Sequence, residues 1–343
     1  MSTFIIAEAG VNHNGDAALA RRLVEVAAES GADAVKFQSF SADKLTAKGA
    51  AKAEYQKRAT GDGDQYDMLK ALEMSKALHE ELAALSSELG IEFMSTAFDE
   101  ESLDLLIALG IRRIKVPSGE VTNYPFLRYM ARKNLPLIVS TGMADLAEVE
   151  EAIAVIAAER QASGLAGALE NMVTVLHCTS NYPAAVEDVN LNAMLTMGRV
   201  TGMPVGYSDH TLGIAVSTAA VAMGACVIEK HFTLDKNMPG PDHAASLNPE
   251  ELKAMVDAIR AVEAARGDGV KAPTASEVPV RALVRRSVTT VRPISAGLVI
   301  KPSDLTLMRP GTGIPPKNLE SVIGRKAAHD IVAGKTLDWA DLQ

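Results

Sequence analysis

The chain has 343 residues, 48% of them hydrophobic and 22% charged, and a formal net charge of −9. That length suits one large domain with a small appendage, and the composition is that of a folded globular protein rather than a disordered or fibrous one. The acidic balance argues against a nucleic-acid partner, so any anionic substrate must be held by local positive charge.

The N-terminal stretch MSTFIIAEAGVNHNG carries no basic segment and is broken by Glu8, which excludes a signal peptide or a membrane span there. From this point short runs rich in Ile, Val, Phe and Met alternate with stretches of helical period. The pattern predicts strands at Phe4–Ala7, Ala34–Gln38, Glu92–Ser95, Arg113–Val116, Leu137–Ser140, Val173–His177, Val205–Tyr207 and Cys226–His231. The intervening helices carry end signals. Asp16 precedes Leu19, Leu23 and Val26, with Gly31 closing; Ser75 precedes Leu78, Leu82, Leu85 and Leu89, with Gly90 closing; Asn248-Pro249 with Glu251 precedes Leu252, Val256 and Ile259. Strands alternating with helices over residues 1–265 predict a (β/α)8 barrel, with an open doubly wound sheet as the alternative. Cys178 and Cys226 both fall in apolar runs, as buried thiols of a cytoplasmic protein would.

Residues 266–280, RGDGVKAPTASEVPV, show little periodicity and are predicted to be a linker, able to span on the order of 50 Å when extended. Residues 281–343 form a predicted small domain of short strands and turns. Within it ISAGLVIKPSDL (294–305) and IVAGKTLDWADL (331–342) share one frame, which suggests pseudo-symmetric halves.

A barrel presents its chemistry at the C-terminal ends of its strands. Polar residues gather there: Glu8, Lys36, Gln38, Ser95, Thr96, Lys115, Ser118, Glu120, Ser140, His177, Ser208, Asp209, His210 and His231. An unpaired lysine in a buried strand is costly, so Lys36 and Lys115 are read as anion ligands, with Ser140 and Ser208 as helix caps that also face an anion. His177, flanked by apolar residues, is read as a core histidine. His210 and His231 on neighbouring strands, with Glu8 on the strand that closes the ring, can converge on one divalent ion such as Mn²⁺, Zn²⁺, Fe²⁺ or Co²⁺. No nucleophile elbow, P-loop or dinucleotide fingerprint is present.

The segments AEAGVNHNG, GADAVKFQSF, KVPSGE, STGM, GYSDHT, EKHFT and PGPDHAAS, followed by LMRPGTGI in the tail, resemble the bacterial sialic acid synthase family with its antifreeze-like (SAF, β-clip) C-terminal domain. The resemblance implies a transferase that condenses phosphoenolpyruvate with an N-acylated amino sugar to a nine-carbon keto acid and phosphate. It implies that His210 and His231 ligate Mn²⁺, with Mg²⁺ or Co²⁺ as alternatives, and that Glu8 stands nearby. Lys36, Lys115, Ser118, Ser140 and Ser208 would hold phosphoenolpyruvate, and Gln38, Thr96, Phe98, Tyr182 and Asp242 would line the sugar site. Arg309 would meet the sugar's acyl group across a domain-swapped homodimer. Glu120, or else Glu8, would position or deprotonate the reacting water. N-Acetylmannosamine, giving N-acetylneuraminate, is the acceptor read first. The alternative is a diacetamido sugar of the legionaminic or, less closely, the pseudaminic type, because Ser180 stands where some sialic acid synthases carry an asparagine. A phosphorylated-sugar synthase lacks support in the arginine-poor strand ends, and a carbohydrate-binding scaffold would not need both lysines and both histidines.

Overall fold

The computed structural model describes residues 2–343. Eight parallel strands close a barrel in chain order: β1 (Phe4–Gly10), β2 (Ala34–Ser39), β3 (Glu92–Ala97), β4 (Ile114–Val116), β5 (Leu137–Ser140), β6 (Val173–Cys178), β7 (Val205–Asp209) and β8 (Val227–His231). The ring is completed by β8 against β1, with Glu8 beside His231. The end signals of the helices act as expected. Asp16 accepts from the amides of Ala18 and Leu19 at the head of Ala17–Glu29, and Ser75 accepts from Leu78 N at the head of Lys76–Leu89, which ends on left-handed Gly90. Asn248 and Glu251 cap each other's backbone at the start of Pro249–Arg266.

Strand parity sorts the barrel into two compartments. Outward residues such as Ile5, Val35, Phe93, Val139 and Ile228 pack with the helices in the main core. The inward residues Ile6, Ala34, Met94, Ile138, Leu176 and Val227 form a separate apolar layer. Two positions further along the same strands, on the same face, stand Glu8, Lys36, Thr96, Ser140, Cys178 and Glu229. The apolar layer is therefore the floor, and the polar residues are the floor of a cavity above it. Beside this layer β7 carries Gly206, where any β-carbon would lie 2.4 Å from Val227 O and 2.6 Å from Leu176 Cδ2.

The chain divides into two compact units, the first running to Gly267 and the second from Asp268 to Gln343. The expected linker is shortened at both ends: the last barrel helix runs to Arg266, and Glu277–Val284 is helical rather than extended. In the second unit β9 (Ser287–Thr290) pairs antiparallel with β10 (Leu305–Met308). The two repeat copies meet through Ile294 and Ile331, which exchange both backbone hydrogen bonds at 2.8 Å, so the internal repeat is a pseudo-symmetric pairing. No helix among the described residues is long and apolar enough to cross a membrane.

Candidate active site

The barrel mouth opens into a cavity of about 500 Å³. Its lining includes Glu8, Lys36, Gln38, Thr96, Phe98, Lys115, Ser118, Ser140, Tyr182, Ser208, His210, His231 and Asp242, so the structure brings together thirteen residues singled out from the sequence. It adds Glu229, which the sequence reading passed over.

Glu229 is the electrostatic centre. Its carboxylate lies 3.6 Å from Lys36 Nζ and 3.5 Å from Lys115 Nζ, and it accepts from Ser208 Oγ at 3.0 Å. Burial alone would push Glu229 up, but Lys115 and Lys36 outweigh burial and hold it at about 2. Lys36 donates to Thr96 Oγ1 at 2.7 Å and pairs with Glu8 at 2.6 Å, while Lys115 donates to Ser140 Oγ at 2.7 Å. The two lysines shift in opposite directions: burial pulls both down, but Glu229 and Glu8 together raise Lys36, whereas Lys115 stays lowered. Burial, joined by the charge of Glu229 and opposed by Lys36, pushes Glu8 up to about 7. Glu8 and Glu229 are thus two buried carboxyls tuned apart, one ionised and one near its titration point at neutral pH.

His210 and His231 stand side by side, with ring centroids 5.7 Å apart and Tyr182 against both. His210 Nδ1 lies 2.6 Å from Thr179 O; a carbonyl only accepts, so Nδ1 carries the proton and Nε2 presents its lone pair. His231 Nδ1 is buried without a hydrogen-bond partner, 3.9 Å from Asp242 Oδ2. Burial lowers both imidazoles and holds them neutral, the form a metal binds. Gly10 makes room for this pair, since a β-carbon there would lie 3.3 Å from His231 Cε1 and 3.4 Å from Glu8 Oε1, on a backbone with φ of +52°. Among the described residues no three His, Cys, Asp or Glu side chains cluster as a ready-made metal cage. Two neutral imidazoles with an unsatisfied nitrogen fit an ion that completes its shell with water and substrate.

Two expectations, those at Asp209 and Ser95, are corrected by the geometry. Glu120 stands on the turn after β4, next to Ser118 and Gly119 of the cavity lining, and its carboxylate accepts from Asn123 Nδ2 at 2.6 Å. Asp209 and Ser95, though flanked by site residues, have the opposite parity. Asp209 accepts from Thr211 and Ser217 and pairs with Lys230 at 3.0 Å, all outside the cavity, and Ser95 bonds Ser39. His177 also points outward, 2.7 Å from Val189 O, as a core histidine. Arg309 belongs to the second unit, where it is exposed ahead of Pro310. Parity was the signal that would have found Glu229: it is two residues before His231 and so shares its face.

An eight-stranded parallel barrel with coupled ionisable residues gathered at its C-terminal rim is the architecture of a barrel enzyme. The particular lineage follows from comparison with known proteins. The NeuB family matches residues 23–271 and the SAF domain matches residues 285–343. Over its whole length the chain is 55% identical to an N,N'-diacetyllegionaminic acid synthase of Legionella pneumophila, covering 95% of that protein. It is 48% identical to the N,N'-diacetyllegionaminic acid synthase of Campylobacter jejuni, over 95% of this chain and 96% of that one. Among solved structures it resembles the N-acetylneuraminic acid synthetase of Leptospira borgpetersenii, with a TM-score of 0.71 and 33% identity, over 82% of this chain and 90% of the other. The chain belongs to the NeuB family and is an enzyme, a synthase of nonulosonic acids.

Proposed function

We propose that this enzyme condenses phosphoenolpyruvate with a 2,4-diacetamido-6-deoxy hexose to give N,N'-diacetyllegionaminic acid and phosphate. The observation that carries the reading is the 55% identity, across the entire chain, to a synthase of that name. It favours the diacetamido acceptor over the N-acetylmannosamine that the sequence placed first. The test is phosphate release from phosphoenolpyruvate with each sugar in parallel. At least a tenfold higher kcat/KM for the diacetamido sugar, about 1.4 kcal/mol of transition-state discrimination, is expected; equal use of both, or preference for N-acetylmannosamine, returns the assignment to a sialic acid synthase.

Lys36 and Lys115, with the hydroxyls of Ser118, Ser140 and Ser208, supply the positive charge and donors that a phosphate and a carboxylate need in an acidic protein. Gln38, Thr96, Phe98, Tyr182 and Asp242 also line the cavity, and in this reading they face the sugar. His210 and His231 would hold a divalent ion, Mn²⁺ in this reading with Mg²⁺ or Co²⁺ as alternatives, and the Glu8 carboxyl stands beside them. Such an ion, when bound, supplies Lewis-acid polarisation of the open-chain sugar aldehyde.

In the reaction, carbon 3 of phosphoenolpyruvate bonds to the aldehyde carbon, whose oxygen takes a proton. Water adds at carbon 2, losing one proton, and the carbon–oxygen bond to phosphate then breaks as the new hydroxyl passes its remaining proton to the departing phosphate, leaving the keto acid. The lysines hold the phosphate as charge shifts onto it. Glu120, on the turn after β4, or Glu8, paired with Lys36 at 2.6 Å and beside His231, would move a proton at the water or the aldehyde oxygen. Glu8→Gln is expected to lower turnover by about 10²-fold or more. The same change at Glu120 is the control: a loss as large there, with Glu8→Gln active, would move the proton-transfer role to Glu120.

The free thiols of Cys178 and Cys226 support a cytoplasmic setting. A homodimer is supported by helix Glu277–Val284, which exposes Val280, Leu283 and Val284 on one apolar face that exchange between two copies would cover. Light scattering should give twice the chain mass; a monomer at working concentration would rule exchange out.

A further inference from the structure

Between β2 and the helix Lys76–Leu89 the chain makes a long excursion, residues 40–75, built from three short helices at Ala42–Leu45, Glu54–Thr60 and Gln65–Lys70. It is tied to itself. Ala51 bridges Asp64, Lys52 donates to the carbonyls of Gly61 and Asp62, and Asp64 accepts from the amides of Gly49 and Asp67. Its inner side lines the active-site cavity with Tyr55, Gln56, Gln65, Met68, Leu69 and Leu72. Tyr55 lies against Tyr182 with centroids 5.1 Å apart, and Met68, Leu69 and Leu72 pack with Val11, Phe40 and Phe98 at the barrel mouth.

The two glutamines are oriented by bonds inside the excursion. Gln56 Oε1 accepts from the backbone amide of Ala53 at 2.9 Å; an amide N–H only donates, so the side-chain NH₂ of Gln56 is left for other partners. Gln65 Oε1 accepts from Thr46 Oγ1 at 3.0 Å, which leaves its NH₂ in the same state. The cavity therefore carries carboxamide donors beside an apolar wall of thioether and leucine. An acetamido group needs that combination, a donor for its carbonyl oxygen and an apolar surface for its methyl. A hydroxyl in its place would lie against apolar atoms and leave a carboxamide donor unpaired.

We propose that the 40–75 excursion is the acceptor-selectivity element, in which Gln56 and Gln65 donate to the second acetamido group of the sugar and Met68, Leu69 and Leu72 receive its methyl. This deepens, and rests on, the diacetamido reading above.

The test uses the full-length enzyme with two acceptors, the 2,4-diacetamido-6-deoxy sugar and the analogue in which the second acetamido is a hydroxyl. Gln56→Met and Gln65→Met, made together, keep the side-chain length, remove the NH₂ donors and add no charge to the cavity, with thermal unfolding to report the loss of the bonds to Ala53 and Thr46. The wild-type enzyme is expected to prefer the diacetamido sugar by at least tenfold in kcat/KM, and the variant to lose most of that ratio while its KM for phosphoenolpyruvate stays unchanged. A large wild-type ratio that persists in the variant overturns the proposal and leaves the diacetamido reading standing. Parallel loss with both acceptors also overturns it, because the excursion would then serve a group common to the two. A wild-type ratio near one overturns the diacetamido reading itself, and selectivity by this excursion with it.

Discussion

Lys115→Met is expected to lower kcat/KM for phosphoenolpyruvate by about 10³-fold, roughly 4 kcal/mol of transition-state stabilisation. Methionine keeps most of the length and apolar stem of lysine, so the change deletes a charge more than a volume. Lys115 is buried, donates to Ser140 Oγ at 2.7 Å and faces Glu229 at 3.5 Å. Without it, an anion entering the cavity meets a Glu229 carboxylate neutralised by Lys36 alone, at 3.6 Å. The fold should weaken too, by on the order of 3 kcal/mol, since breaking a buried charge cluster leaves part of it uncompensated. Glu229 keeps its bond from Ser208 at 3.0 Å, which limits that loss. Steady-state kinetics and thermal unfolding on one preparation separate the two effects. If kcat/KM stays within threefold of wild type, the phosphate is held elsewhere and the lysine pair is structural.

His231→Ala is expected to abolish stoichiometric metal binding and to lower turnover by at least about 10⁴-fold, the same end-point as chelation of the wild-type enzyme. Its stability signature is more specific than its activity. The apo-protein should lose little, ~1–2 kcal/mol, because His231 Nδ1 has no hydrogen-bond partner to forfeit. Added Mn²⁺ should stabilise the wild-type protein by RT ln(1 + [L]/Kd), about 2.7 kcal/mol at a hundredfold excess over Kd, and should leave the variant unmoved. The measurement is a Mn²⁺ titration followed by thermal unfolding, with metal content by elemental analysis. A variant that still gains stability and retains metal would show that the ion is bound without this imidazole.

The barrel and much of its site were legible in the sequence because both rest on local periodicities. Runs of Ile, Val and Met bounded by capped helices specify the strands, and the floor needs only the two-residue repeat that stacks Glu8 over Ile6 and Lys36 over Ala34. The same rule, applied strictly, would have recovered Glu229 from His231 and set aside Asp209, which pairs with Lys230 on the outer face. Polar character at a strand end does not by itself fix which face of the barrel the side chain takes. The tail was legible for a similar reason: its repeated frame marks the two segments that pair at Ile294 and Ile331.

What only the tertiary structure decided is the company each residue keeps. Lys36, Lys115 and Glu229 come from β2, β4 and β8, and nothing in their own segments says that one carboxylate serves both lysines. Closure of the ring puts them within 3.6 Å and turns two neighbouring carboxyls into one at about 2 and one at about 7. Glu120 shows the same dependence on packing. Its position after β4 is legible in the sequence, but its bond to Asn123 is set by the turn. Residues 40–75 carry no long periodic pattern, so their role as a cavity wall depends on contacts with Val11, Phe98 and Tyr182 that sequence spacing does not encode. The sequence determined the elements, the faces of the strands and the chemical types at the rim. Distances, charge states and side-chain directions arise from packing between segments far apart in the chain, and only the closed barrel sets them.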